Sequence, residues 1–142
     1  MSDIERAKQF LHSGGYTCVL CKGDAVYTST ERGVAPMVEW LDNGAELHGF
    51  AAADKVIGKA AAMPFVLAGV SEIYSDVMSA SAAEFLKNSG VRYSYDALTQ
   101  HIINRKGDGI CPMEQLTADM KSAEEAFVAI KEKLTELRKG KL

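Results

Sequence analysis

Residues 72–95, with the sequence EIYSDVMSASAAEFLKNSGVRYSY, decide the fold of this 142-residue chain. Residues 72–78 alternate enough to predict a central strand, and residues 80–88 predict a helix that stops at Gly90. Residues 91–95 predict a second strand. A strand, a helix and a strand in this order normally make a right-handed crossover between parallel strands. We therefore expect this stretch to form the parallel part of a sheet.

The preceding half of the chain adds an antiparallel part to this sheet. Residues 16–21 and 25–28 are β-branched and aromatic runs on either side of Lys22-Gly23-Asp24, which is a composition typical of a hairpin turn. Helices are predicted at 4–11 and 35–41. The pattern indicates an α/β fold in which helices cover a mixed central sheet.

The alanine-rich residues 54–68 predict a buried helix that Asp54 opens as its N-cap. Pro64 would either kink this helix or end it early. Residues 47–53, just before it, fit either a short strand or an approach loop.

The end of the chain predicts one long amphipathic helix with Pro112 in its first turn. Its apolar residues follow alternating steps of four and three and form one seam: Leu116, Met120, Ala123, Phe127, Ile130, Leu134 and Leu137. We expect this seam to pack on the sheet or on the first helix of the same domain. The alternative is a coiled-coil-like contact that makes a homodimer. We predict a single domain at 1–142, with a core at 1–117 and the C-terminal helix at 118–142.

Composition excludes several classes of function. The hydrophobic share of 47% and the charged share of 25% suit one globular domain, and the net charge of −3 argues against general nucleic-acid binding. No apolar run is long enough to predict a membrane span or a signal peptide. Three cysteines are a small and odd number, which suits a reducing compartment better than a disulfide framework. We therefore expect a cytoplasmic protein.

Cys18 and Cys21 form a C-x-x-C pair, which is first tested as a metal or redox motif. Residues three apart in a strand point to opposite faces, so these two thiols cannot chelate one ion there. No second cysteine pair completes a zinc site. We interpret both as buried core residues and predict no metal.

Lys55 and Lys59 stand four residues apart in the predicted helix and would share one of its faces. Like charges at this spacing repel each other unless an anion lies between them, and a helix N-terminus adds positive charge. Gly58 would let a ligand or another backbone approach closely. The two lysines therefore predict an anion or a carboxylate partner near the first turns of this helix, and the alternative is a pair of solvated lysines.

Two loops add further candidate ligand-binding residues. Ser29 and Arg32 lie in a hydroxyl-rich turn after the second strand, where they could grip an anion or simply form a turn. Asn104 and Arg105 lie in the loop at 102–111, which carries the densest set of functional side chains in the chain. We expect both loops to contribute to binding.

Cys111 and Glu114 are the candidates for chemistry in this last region. Cys111 directly precedes the predicted helix start, where the helix dipole favours a thiolate, and it would act as a nucleophile. It needs a base, and the fold would have to bring His48 or His101 close to it. The alternative is structural: Cys111 would be a buried residue next to the helix cap, and Glu114 would be a carboxylate that caps the helix.

Four ordered motifs resemble a known prokaryotic family, domain-of-unknown-function family 1893. They are Thr28-Ser29 with 32–36, the segment 53–62, Ile103-Asn104-Arg105, and Cys111-Pro112-Met113-Glu114. The resemblance runs from about residue 4 to about residue 117. That family is similar in fold to cytidine deaminases, which implies a three-layer α/β/α domain with its site beside two helix N-termini.

The resemblance also implies a departure from deaminase chemistry. In active deaminases one helix begins with a His or Cys ligand and a catalytic Glu, and the next supplies a Pro-Cys-x-x-Cys pair. Here the two predicted helices begin at 52–55 and 79–83 without zinc ligands, so we expect no zinc hydrolysis and no cofactor.

We hypothesise a non-zinc or degenerate deaminase-fold protein that binds a small anionic or nucleotide-like molecule. Lys55, Lys59 and Arg105 would hold the anion, Asp54 or Glu114 would exchange protons, and Cys111 would be the nucleophile. The alternative is a non-catalytic homodimeric interaction or sensor module. The sequence identifies no reaction.

Overall fold

A five-stranded sheet lies at the centre of the computed structural model, which describes residues 1–103, 107 and 109–139. The elements in chain order are α1 (Asp3–Ser13), β1 (Cys18–Lys22), β2 (Ala25–Ser29), α2 (Ala35–Asp42), β3 (Ala51–Ile57), α3 (Lys59–Ala68), β4 (Glu72–Ser79), α4 (Ala80–Ser89), β5 (Arg92–Thr99), α5 (Pro112–Thr117) and α6 (Ala123–Lys139).

The strand order is β2-β1-β3-β4-β5, and the sheet is mixed. β1 pairs antiparallel with both β2 and β3, whereas β3, β4 and β5 are parallel. Ser79 caps α4 by accepting a hydrogen bond from the Ala82 amide, and Gly90 ends the helix in the left-handed region at φ 82°. The predicted hairpin, the crossover and the mixed sheet are confirmed.

Helices cover both faces of the sheet, which gives three layers. On one face α1 packs over a small cluster that includes Leu11 and Val19. On the other face a larger core includes residues of α2, α3, α4 and α6, with Phe65 and Leu86 fully buried. The predicted α/β/α architecture is confirmed. No helix in the described ranges is long and apolar enough to cross a membrane.

The prediction of a helix beginning at Asp54 is wrong, because residues 51–57 form β3 and α3 begins at Lys59. The alanines that suggested a helix are strand residues buried from both sides: Ala52 faces the large core and Ala53 faces the α1 cluster. Small side chains fit such a doubly covered strand. The helix then runs through Pro64 to Ala68 without ending early.

The prediction of a single long C-terminal helix is also wrong. α5 ends at Thr117, and α6 starts only at Ala123. Apart from Leu137, which is exposed, the seam residues nevertheless pack against the large core of the same chain, where Ile130 is fully buried. The partner of α6 is chiefly α3, rather than the sheet or α1. Packing within the domain is thus confirmed, and homodimer formation stays a prediction.

Candidate functional site

The carboxylate of Glu114, on α5, lies on the N-terminus of α3. Its Oε1 accepts a hydrogen bond from the Lys59 amide at 3.0 Å, and its Oε2 accepts one from the Ala60 amide at 2.9 Å. The first amides of a helix have no partner within the helix and carry its partial positive charge. Glu114 therefore caps α3 from a distant part of the chain, with one oxygen on each amide.

Gly58 makes this close approach possible. A Cβ atom at this position would lie 2.4 Å from the carboxyl carbon of Glu114. The backbone φ of Gly58 is −96°, so the glycine is required by space rather than by conformation. The sequence predicted a ligand or another backbone at Gly58; the group that approaches it is the chain's own Glu114 carboxylate.

The N-terminus of α4 lies on the other side of Glu114. The hydroxyl of Ser79, which caps α4, is 3.5 Å from Glu114 Oε1 and 3.2 Å from the hydroxyl of Ser81. Ser79 is fully buried. We call Gly58, Lys59, Ala60, Ser79 and Glu114 the Glu114 site; it lies between two helix N-termini.

The Lys59 side chain borders the same site. Its ammonium donates a hydrogen bond to the Ala118 carbonyl at 3.0 Å. It also lines an open groove of about 720 Å³ whose walls are α4 and the connection between α5 and α6. The ammonium therefore belongs to one of the two residues whose amides bind Glu114.

Asp54 belongs to a second polar group, inside the sheet. It is 5% exposed, and its Oδ1 accepts a hydrogen bond from the Val56 amide at 3.3 Å. Burial raises the pKa of Asp54 to about 7, although bonds from Val56 and Cys18 oppose this shift. Burial, together with the neighbouring Asp54 carboxylate, raises the pKa of the Cys18 thiol.

The Asp54 group extends across the sheet. Strand register places Ser29, Cys18, Asp54, Ser75 and Tyr95 in one row over all five strands. The Ser75 hydroxyl donates to the Val77 carbonyl at 2.6 Å, two residues along its own strand. Each polar side chain in the buried centre of this row therefore has a partner, which buried polar groups require.

Lys55 lies on an exposed part of β3 and does not share a helix face with Lys59, so that prediction is wrong. Instead it contributes to the charge around Asp76, whose carboxylate accepts hydrogen bonds at 2.7 Å from both His12 Nε2 and the Tyr74 hydroxyl. Burial alone would raise the pKa of Asp76, but these bonds and the charges of His12 and Lys55 outweigh it and lower the pKa.

The predicted site residues fall into separate groups. Glu114 and Lys59 meet directly, and Cys111 is the N-cap residue of the same short helix, α5. Ser29 accepts a hydrogen bond from the Glu31 amide and stands in the Asp54 row, and Arg32 is exposed in the turn that follows. Asn104 and Arg105 lie outside the described residues.

Of the two candidate bases for Cys111, His48 lies at the wrong end of α3. Its ring stands against Gly69, which caps the C-terminus of that helix, whereas Glu114 lies at its start. The backbone near His101 runs beside Cys111, because the Cys111 amide donates to the Ile102 carbonyl at 2.9 Å.

The donor set of the Glu114 site does not suit zinc. The starts of α3 and α4 carry lysine, alanine and serine. Within the described ranges, no group of three or more His, Cys, Asp or Glu side chains could hold a metal ion. Cys18 belongs to the large core and Cys21 to the α1 cluster, so the prediction that they face opposite sides is confirmed.

Sequence reasoning missed the joining of Glu114 to the α3 amides and Ser79. These contacts span 55 residues for Lys59 and 35 for Ser79, and no local pattern encodes them. It also missed Thr17, whose carbonyl accepts the Lys55 amide at 3.1 Å and whose hydroxyl donates to the Ser29 carbonyl at 3.0 Å. Thr17 thereby links the last residue of β2 to β3.

Comparisons with known proteins give the following similarities. The model of a family described as TM1506, domain of unknown function (DUF1893), matches residues 6–134. The crystal structure of a DUF1893 family protein, TM1506 from Thermotoga maritima, superposes with a TM-score of 0.85 and 25% identity, over 94% of this chain and 91% of that chain.

A second structure, Acinetobacter baumannii RibD, gives a TM-score of 0.42 and 18% identity over 66% of this chain and 34% of the other, which is too low to support an inference. A search of curated proteins finds no match.

Proposed function

The chain belongs to the DUF1893 family, and from this premise we propose that it is a deaminase-fold protein without a zinc centre that binds a small anionic or nucleotide-like molecule. The binding position is the Glu114 site, between the N-termini of α3 and α4. This proposal rests on the resemblance in fold and on the donors found at that position.

The observation that carries the proposal is the carboxylate of Glu114 on the Lys59 and Ala60 amides. Two main-chain donors at a helix N-terminus suit a carboxylate or a phosphate equally well. The resident side chain supports the proposal, because a carboxylate of this charge and size already lies there. A ligand anion would take the place of Glu114, and α5 would shift to allow it.

Lys59 supplies the second element of binding. Its ammonium bonds only a neutral carbonyl, that of Ala118, in the described hydrogen bonds. An anion on the adjacent amides would attract this ammonium more strongly than a carbonyl does. The side chain would then turn from Ala118 to the ligand.

Other predicted residues take roles around this position. Cys111, on the same helix as Glu114, is the proposed nucleophile, and Glu114 is the proposed proton acceptor once the ligand has displaced it. Asp54 would exchange protons from the buried row. Ser29, Arg32, Lys55, Asn104 and Arg105 remain proposed ligand-binding residues. We also propose a cytoplasmic location, because the three cysteines are free thiols.

A thermal-shift screen with nucleoside monophosphates and other phosphorylated metabolites tests this proposal. A ligand that binds only the folded protein raises Tm according to its concentration relative to Kd. We expect at least one of them to raise Tm, Lys59→Ala to reduce that shift, and Glu114→Ala to enlarge it because the competing carboxylate is gone.

Lys8→Ala is the matched control, since it removes the same charge from α1, on the other face of the sheet, and leaves the α3 amides unchanged. If no ligand in the screen raised the Tm of the wild type or of Glu114→Ala, the proposal would be contradicted. Equal shifts in Lys59→Ala and the wild type would remove the Glu114 site from it.

A further inference from the structure

β5 is an edge strand that carries apolar side chains on its exposed surface. β4 pairs with one side of it, and no strand in the described ranges pairs with the other. Tyr95 is 40% exposed and Leu98 is 51% exposed. Exposed edges are usually protected by proline, by inward charges or by a covering segment. β5 contains no proline, and six of its eight residues are exposed while the other two are half-buried. Among the described residues its edge is therefore open to another strand.

We propose that β5 pairs antiparallel with β5 of a second copy, about a two-fold axis through Ser94 and perpendicular to the sheet. This interface goes beyond the proposed function and lies apart from the Glu114 site. It would join two five-stranded sheets into one continuous sheet. A two-fold contact of this kind uses the same surface on both subunits.

Charge complementarity selects the second copy as the occupant. In this register Arg92 stands opposite Asp96 of the partner subunit, and the two-fold axis repeats that pair. The Arg92 side chain is 80% exposed, with Glu72 at 2.9 Å, and Asp96 is exposed as well. Opposite charges directly across an antiparallel pair stabilise it, whereas like charges destabilise it.

The same register pairs aromatic side chains on the helix-covered face. Tyr93 packs against the large core, and it would stand opposite Tyr95 of the partner subunit. Residues 92, 94 and 96 alternate with 93 and 95, so the charges and the tyrosines occupy different faces. One register therefore satisfies both faces of the strand.

The edge of β5 is a better surface for association than the seam of α6, because the seam is already in use within its own chain. Its residues Phe127, Ile130 and Leu134 already pack against the large core of their own chain. A dimer through that seam would have to separate α6 from α3, whereas pairing at β5 uses an edge that no described strand occupies.

Light scattering and sedimentation of the intact protein, over about a hundredfold range of concentration, test the proposal by mass action. We expect a reversible dimer. Asp96→Arg places arginines opposite each other and should raise the dimer Kd by roughly tenfold or more. Adding Arg92→Asp to that variant restores opposite charges and should restore the dimer.

Asp24→Arg is the control, because it makes the same charge change in the turn at the other edge of the sheet. Circular dichroism of each variant checks that it folds. A wild type that is monomeric throughout would overturn the proposal. An equal dimer Kd for Asp96→Arg and Asp24→Arg would also overturn it, because the dimer would then form through another surface.

Discussion

Two carboxylates, Glu114 and Asp54, occupy opposite kinds of environment in this protein. Glu114 lies on two main-chain amides at the start of α3, with a serine hydroxyl and the Lys59 ammonium nearby. Asp54 lies within the sheet beside Cys18, where burial raises its pKa to about 7. The first environment is arranged to hold a negative charge, and the second resists one.

This difference locates the binding position more firmly than residue type does. Both acids were candidates for chemistry in the sequence; Asp54 is buried and Glu114 is half-buried. Of the two, Glu114 is the one whose donors are the first amides of a helix, which another anion could use in its place. Asp54 lies among the bonded residues of a buried row, where burial favours its protonated form.

The largest expected effect concerns the charge of Asp54. The folded protein holds this proton up to about pH 7, whereas an unfolded chain releases it near the ordinary value of 3.8. Raising the pH from about 4 to 7 therefore destabilises the fold, and the loss is complete above pH 7. Asp54→Asn, which cannot ionise, should be more stable than the wild type at alkaline pH by up to about 4 kcal/mol.

Urea unfolding across this pH range measures the effect. Asp76→Asn is the matched control: hydrogen bonds from His12 and Tyr74 lower the pKa of Asp76, so its contribution is lost as pH falls. If the free energy of unfolding of Asp54→Asn and of the wild type changed with pH in the same way, the buried Asp54 would not resist a negative charge as this account requires.

The next effect concerns the space that Glu114 occupies. Gly58→Ala puts a methyl group 2.4 Å from the Glu114 carboxyl carbon, so one of them must move. We expect a loss of about 1–3 kcal/mol in the free energy of unfolding, as for other overpacked positions. Chemical denaturation of the single variant measures this loss.

The double variant Gly58→Ala with Glu114→Ala separates this contact from helix propensity. The second substitution removes the clashing carboxyl, so Gly58→Ala should cost much less in that background. Equal costs in the two backgrounds would mean that Glu114 does not lie against Gly58.

The crossover was predictable from sequence, whereas the start of α3 was not. The strand and helix periods in residues 72–95 are local, and the structure reproduces them as β4, α4 and β5. The alanines at 51–53 favour a helix by intrinsic propensity, but burial on both faces makes them a strand. Tertiary packing decided that segment.

The candidate site shows the same limit. Lys59 and Glu114 could be selected by residue type and by resemblance, but their contact depends on a fold that joins positions 55 residues apart. Lys55, four residues from Lys59 in sequence, was separated from it because β3 ends between them. Spacing identifies neighbours only when the element is right.

The smallest expected effect on stability comes from Lys59→Met. The substitution keeps the apolar stem and removes the hydrogen bond to the Ala118 carbonyl, which should cost under about 1 kcal/mol in the free energy of unfolding. The Tm shift caused by a nucleoside monophosphate should fall markedly in the same variant. A large loss of stability with an unchanged ligand-induced shift would make Lys59 a structural residue only.

The anion position itself is tested most directly by following the amide resonances of Lys59 and Ala60 by NMR while nucleoside monophosphates are added. In Glu114→Ala these two amides are free of the competing carboxylate, and we expect them to shift to saturation at lower ligand concentration than in the wild type. The Gly49 amide, which bonds the Gly69 carbonyl at the other end of α3, serves as the internal reference. Absence of any shift at Lys59 and Ala60 in both proteins, or the same midpoint in both, would contradict the assignment.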